Sequence, residues 1–198
     1  MDSLTRTAFV DESFRRGDDG LGYALLAAVI VPDAHAVDVE HALRAIVAPG
    51  QRRFHWRDER ASRQKTFLTT VADLHRLEVV ALAYCRETPS QKKLEQARVC
   101  CLWSLLADLS DRQVSTLVIE SRQERNDRKD RREILRAQEA GVAARELIYR
   151  HGRPKEEPLL WLPDAMAGAV GLKIARHDDT FFSMLPDGMC TIHWSDRP

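Results

Sequence analysis

Residues 5–31 read TRTAFVDESFRRGDDGLGYALLAAVIV, and the order of segments inside this stretch decides the fold. Thr5 to Val10 is a short run of apolar and β-branched residues that meets the acidic pair Asp11 and Glu12, the signature of a first strand. Arg15-Arg16-Gly17-Asp18-Asp19-Gly20 is a polar turn punctuated by glycine, and Leu21 to Val31 is the apolar run of a buried second strand. Together they predict a hairpin. A first strand that turns directly back into a second, with no helix between them, separates the alternatives considered below.

Outward from the hairpin, Pro32 ends the second strand, and Val37, Leu43, Ile46 and Val47 fit an amphipathic helix closed by Pro49-Gly50. Arg52 to Trp56 suggests only a short extended piece before a helix that lines Phe67, Leu68, Val71 and Leu74 on one face. Leu77 to Tyr84 predicts a buried strand, Pro89-Ser90 opens a helix through Leu109, and Val114 to Ile119 predicts a strand ending at Glu120. A long charged helix is expected to about Tyr149, then a loop from Gly152 to Pro158 and a short strand from Leu159 to Leu162. Pro163-Asp164 starts a helix over Ala165 to Ala175, and the tail offers two short strands around Phe181 and Ile192, separated by the turn Pro186-Asp187-Gly188.

This order predicts an α/β fold with a mixed sheet flanked by helices: three antiparallel strands, then strands joined through helical crossovers that must run parallel. It is the ribonuclease H-like plan, with a helical insertion from about Asp33 to Arg76 between strands 2 and 3. The nearest rival is the PIN-type nuclease fold, which also gathers carboxylates but sends its first strand into a helix. The hairpin favours the ribonuclease H-like plan.

A chain of 198 residues suits one domain, 1–198, with a full core. Its 44% hydrophobic and 30% charged residues describe an ordinary globular protein, and thirty basic residues balance thirty acidic ones. Without a global positive field, any polyanion site must be a local basic patch or a metal. The start of the chain lacks the pattern of a signal peptide, and Ala24 to Val31 falls far short of a membrane span, so a cytoplasmic location with no membrane partner is expected. Cys85, Cys100, Cys101 and Cys190 show no zinc spacing and suit small core residues in a reducing compartment.

Three acids stand apart because each ends or follows an apolar segment. Asp11 closes the first strand, and Glu120 closes the strand that this plan lays beside it, parallel, so both carboxylates leave the sheet at the same end. Asp164 follows Pro163 at a helix N-terminus, where the dipole favours an acid. Each alone is accounted for equally well as a cap, a turn residue or a solvated strand end. Their joint occurrence at one end of the sheet points to a catalytic and metal-binding set, since clustered carboxylates repel unless neutralised, and oxygen donors without accompanying His or Cys suit Mg2+ or Mn2+. Two such ions can activate a water and stabilise both oxygens of an in-line displacement at a phosphodiester.

The same residues carry a family resemblance. Phe9-Val10-Asp11-Glu12-Ser13 and Pro163-Asp164-Ala165-Met166-Ala167-Gly168-Ala169-Val170 resemble the two motifs of the bacterial domain of unknown function 3800 family, over nearly the whole chain. The resemblance implies a ribonuclease H-like fold and a metal-dependent nuclease, with Asp11, Glu120 and Asp164 as ligands and Glu12 as a helper. Members usually carry Gly after Asp-Glu-Ser, whereas this chain has Phe14, which puts the shape of the following turn in question. The expected function is metal-dependent hydrolysis of DNA or RNA. The alternative is a catalytically silent nucleic-acid- or protein-binding module on the same scaffold.

Arg122 to Glu133 crowds six basic and four acidic residues into twelve positions, which mixed-sign runs usually spend on surface ion pairs. Arg122, Arg125 and Arg128 are its candidates for holding nucleic-acid phosphates near the metals. Asp127 is close enough to Glu120 to reach back but suits a surface ion pair, and Asp178 and Asp179 lie too far down the last helix to join the site. His55-Trp56 reads as a solvated histidine beside a half-buried tryptophan, with base stacking as its functional alternative. Gly168 and Gly171 cost about 1 kcal/mol each in a helix, a cost that close packing against the sheet would offset.

Overall fold

A computed structural model describes residues 5–48, 50–74, 77–86 and 91–195 of the chain. Strands β1 (Arg6–Arg16) and β2 (Gly22–Pro32) pair antiparallel along their whole length, from Arg6 opposite Pro32 to Arg16 opposite Gly22. Gly20 in the connecting turn has φ of 80°, a left-handed conformation that glycine adopts without steric cost. β3 (Glu78–Arg86) runs antiparallel to β2 on the far side of the hairpin. β4 (Thr116–Glu120) lies parallel beside β1, β5 (Ile148–Gly152) parallel beside β4, and β6 (Cys190–Trp194) parallel beside β3. The sheet order is therefore β5-β4-β1-β2-β3-β6.

Helices supply the connections that parallel strands require. α1 (Ala36–Ile46) and α2 (Ala61–Asp73) form the insertion between β2 and β3, where the sequence places it. α3 (Gln91–Asp111) links β3 to β4, α4 (Glu124–Glu139) links β4 to β5, and α5 (Trp161–Arg176) follows β5. Alternation along the strands divides the core in two. Phe9, Val29, Val79 and Val118 face α1, α2 and α5, whereas Val10, Leu26, Ile30, Leu117 and Ile119 face the side of α3 and α4. Both faces are covered, which explains the almost uninterrupted apolar run of β2. Among the described residues no helix is long and apolar enough to cross a membrane.

Several element boundaries differ from the sequence reading. β1 does not stop at Asp11 but continues to Arg16, because β2 still satisfies its backbone where the side chains turn polar. α4 ends at Glu139, where Ala140 closes it and Gly141 takes φ of 72°, and the edge strand β5 occupies residues expected to be helical or loop. The apolar Leu159 to Leu162 run is not a strand: Pro158–Leu160 is a 3-10 turn that passes directly into α5. Pro163 sits in the first turn of that helix, where its missing N–H breaks no bond. Around Phe181 the chain forms a 3-10 turn at Phe182–Met184 in place of the expected strand, while Ile192 does lie in β6. The helix signals at Pro49, Pro89 and Ser90 fall outside the described residues.

Candidate metal centre

Parallel pairing sets Val10 beside Ile119, so the next residues along β1 and β4, Asp11 and Glu120, leave adjacent strands side by side. Asp11 shares a face with Phe9 and Glu120 with Val118, the face that α5 covers. The Asp11 and Glu120 carboxylates interact directly, and Asp11 Oδ1 accepts the Glu12 N–H at 2.7 Å. Asp164 lies in the first turn of α5 and does not serve as its N-cap, a position held by Leu160. Its Oδ2 instead accepts the Trp56 backbone N–H from the insertion at 2.8 Å. Trp56 is buried, not half-buried or free to stack on a base, and its ring lies against Gly168, where a Cβ would come within 2.4 Å of it. Gly171 makes room in the same way for the Arg15 side chain. Both glycines thus permit close approach, to side chains that lock helix, hairpin and insertion together.

The three carboxylates are short of compensating charge. Burial, then the charges of Glu120 and Asp164, hold the Asp11 carboxyl well above the ordinary carboxylate range, against a smaller opposing pull from the Glu12 N–H. Glu120 is raised by burial, with the Asp164 charge adding to it and the Asp11 hydrogen bond, Arg53 and His55 working the other way. Asp164 is raised by burial despite the Trp56 N–H and the nearby His55, Arg53 and Arg57. Such a set gains stability from any cation that supplies the missing charge, and its oxygen-only donors match a hard divalent ion. The carboxylates border an open cavity of about 560 Å3 that His55, Arg57 and Arg122 also line.

No family model and no curated protein matches the chain. Solved structures do. Ribonuclease H2 from Pyrococcus horikoshii superposes with a TM-score of 0.52 at 13% identity, over 92% of this chain and 82% of that one. Ribonuclease HII from Archaeoglobus fulgidus, in a complex with PCNA, gives 0.47 at 15% identity over 86% and 74%. The fold is ribonuclease H-like.

On the opposite face of the ribonuclease H-like sheet lies a second charged cluster, and it corrects two expectations. Glu12 follows Asp11 on the strand and so points to the α3 side, where its carboxylate pairs with Arg98 and, at 3.5 Å, with Arg122 Nη1. It lines the same cavity as the three carboxylates but is already engaged by two arginines. Arg122 is equally committed: its Nη2 donates to Asp130 Oδ1 at 3.0 Å and its Nη1 lies 3.4 Å from Glu95 Oε2, so it reaches the cavity already paired. Arg125 and Arg128 project from the exposed face of α4, where with Lys129 and Arg132 they line a shallow basic depression apart from the cavity.

Asp127, Asp130 and His151 offer ligand atoms within 4.8 Å of one another, a tighter group than the three carboxylates make among the described residues. Its chemistry is different. Arg98 grips Asp130 with both terminal nitrogens, Nη2 to Oδ2 at 2.9 Å, while Asp127 accepts the Ser121 hydroxyl at 2.7 Å and the Arg122 N–H at 2.9 Å. Burial works against both acids, yet their partners prevail and hold both below the ordinary range: chiefly His151, Arg98 and Arg122 for Asp130, and Ser121 and the Arg122 N–H for Asp127. A cation there would have to displace two guanidinium groups, so the cluster reads as an internal brace for the turn after Glu120. Asp127 is thus neither a surface ion pair nor a fourth ligand. Asp178 and Asp179 take no part, as expected: Asp178 accepts the Thr180 N–H and Asp179 pairs with Lys173.

Sequence reasoning missed Arg98, Arg53 and Arg57, and it gave His55 no place near the carboxylates. Arg98 had a signal, a lone arginine in the otherwise apolar stripe of Ala97, Cys101, Leu102 and Leu105. The insertion residues had none, because only the tertiary fold brings residues 53–57 over β1 and β4.

Proposed function

We propose that this protein is a divalent-metal-dependent nuclease that hydrolyses phosphodiester bonds of DNA or RNA, with Asp11, Glu120 and Asp164 as the ligands of Mg2+ or Mn2+. The observation that carries the reading is the convergence of three carboxylates, from β1, β4 and α5, that are all raised above their ordinary pKa. Ions bound there supply what the chain lacks, an activated water and charge to stabilise the leaving oxygen. The chain's own contribution is orientation. The Glu12 N–H fixes Asp11 and the Trp56 N–H fixes Asp164, so two ligands are aimed by backbone groups of rigid elements. Arg57, on the same cavity, is placed to neutralise a phosphate of an approaching strand.

Two further points support the reading. The motifs that resemble those of the domain of unknown function 3800 family fall on two of the three proposed ligands, and a solved structure with a similar fold is a ribonuclease. A cleavage panel of single-stranded, double-stranded and hybrid substrates, in Mg2+, Mn2+ or chelator, tests it. Metal-dependent cutting that is lost in Asp11→Asn is the expected result; no cutting of any substrate in either metal would return the protein to the silent-module alternative.

A further inference from the structure

The cavity beside the carboxylates has a second half that the proposed hydrolysis does not use. Phe14, Ala24 and Leu26 from the hairpin and Leu94 and Cys101 from α3 give it an apolar part, which the Glu12–Arg98 ion pair borders. Phe14 is 37% exposed, one of five large apolar side chains left to solvent among the described residues. It lies three residues beyond Asp11, about 10 Å along the strand at ~3.3 Å per residue. Alternation turns it to the α3 side, opposite to Asp11, with Ala24 as its cross-strand neighbour. Arg57 reaches the same point from the insertion, its Nη2 donating to the Phe14 carbonyl at 3.2 Å. An exposed aromatic ring, an apolar floor and an adjacent arginine within a cavity of about 560 Å3 form the combination that holds one base and its phosphate.

We infer that this apolar half is a base pocket, in which Phe14 stacks on a nucleobase of the strand whose scissile phosphate lies at the carboxylates, so that the substrate is a single-stranded or locally unpaired nucleic acid. The inference rests on the nuclease reading and narrows it. A base can lie on Phe14 only when its face is free of its stacked neighbours, and a paired, stacked base in a duplex offers no such face. Stacking discriminates little between bases, because every base has a π-face, so the pocket selects strandedness more than sequence. Phe14 acts on specificity and touches none of the reacting atoms.

The test uses the full chain and an oligonucleotide with one 2-aminopurine, single-stranded or annealed to its complement, with chelator present so that no cleavage intervenes. Quenching of the 2-aminopurine on binding, and single-strand affinity at least about tenfold above duplex affinity, are expected. Phe14→Ala should weaken single-strand binding by about 5-fold to about 150-fold, the range that aromatic stacking supplies per base. Phe14→Trp should retain the affinity, and Phe14→Leu, which keeps an apolar side chain without a π-face, should lose it. Equal affinities for wild type and Phe14→Ala, or a duplex bound as tightly as the single strand, would overturn the base pocket. Parallel hydrolysis assays in Mn2+ separate the two ideas. Cutting that Phe14→Ala leaves unchanged, with no quenching, removes the pocket alone; quenching without any cutting by the wild type removes the nuclease reading and leaves a single-strand-binding module.

Discussion

Asp164 combines two opposed roles, anchoring the Trp56 N–H at 2.8 Å while adding a third negative charge beside Asp11 and Glu120. Asp164→Asn keeps an acceptor for the N–H and removes the charge. The variant should melt as high as wild type or higher without metal, by about 2–4 °C for each kcal/mol of repulsion relieved, and lose nuclease activity by about 100-fold or more. Differential scanning fluorimetry in chelator and an Mn2+ cleavage assay read the two effects. The pH dependence follows from the direction of the shifts. A carboxyl raised in the folded state binds its proton more tightly there than in the unfolded chain, so it penalises folding increasingly as pH rises above the ordinary carboxylate value of about 4. Asp127 and Asp130 are lowered and act in the opposite window: their stabilisation is lost only as pH falls through the acid range. The metal-free stability of Asp11→Asn relative to wild type should therefore grow as pH rises above about 4 and level off once the raised carboxyl is ionised, as measured by urea unfolding in chelator. A constant difference would mean that Asp11 carries no raised pKa.

α5 is the element on which the site depends, because one face holds Asp164 and the next turn receives Trp56. Gly168→Ala gains about 1 kcal/mol of helix propensity, but its Cβ would lie 2.4 Å from the indole, an overpacking that costs about 1–3 kcal/mol. We expect a net loss of stability and weaker Mn2+ binding, since displacing Trp56 disturbs the N–H that orients Asp164. Gly171→Ala meets the flexible Arg15 side chain and should be milder in both respects, which calorimetry and melting curves can show. On α4, Arg125, Arg128 and Arg132 follow helical spacing along one exposed face. Changing all three to Gln should lower the slope of log affinity against log salt by about 2 for a single strand, at ~0.7 per phosphate contact. An unchanged slope would assign that face to solvation alone.

How far each element could be read from the sequence follows from where its information lies. Alternation, turn glycines and apolar runs are local, so the hairpin, β3, β4 and the insertion helices were legible. β5, Ile148–Gly152, pairs only through β4 at the sheet edge, with exposed Ile148 and no apolar run, so its signal is tertiary. Leu159 to Leu162 carried a strong but ambiguous signal, four apolar residues between prolines, which fits a buried helix start as well as a strand. Asp11, Glu120 and Asp164 were legible as a set because sheet order follows from connection rules. The partners of Glu12, Arg122 and Asp127 were not, since an ion pair across elements leaves no trace in spacing.

Taken whole, the molecule separates two charge regimes across one sheet. On the α5 face the acids make no salt bridge among the described residues and are raised; on the α3 and α4 face Asp130 is paired with Arg98 and Arg122, Asp127 is held by the Ser121 hydroxyl and the Arg122 N–H, and both are lowered. That contrast is the ground on which we propose the cation at Asp11, Glu120 and Asp164 rather than at the closer-set Asp127, Asp130 and His151. Calorimetric titration of Mn2+ into wild type, Asp11→Asn and His151→Asn tests the assignment directly. Binding by the wild type that is weakened at least about tenfold in Asp11→Asn and retained in His151→Asn is the predicted result. Binding unaffected by Asp11→Asn, or abolished by His151→Asn, would contradict it.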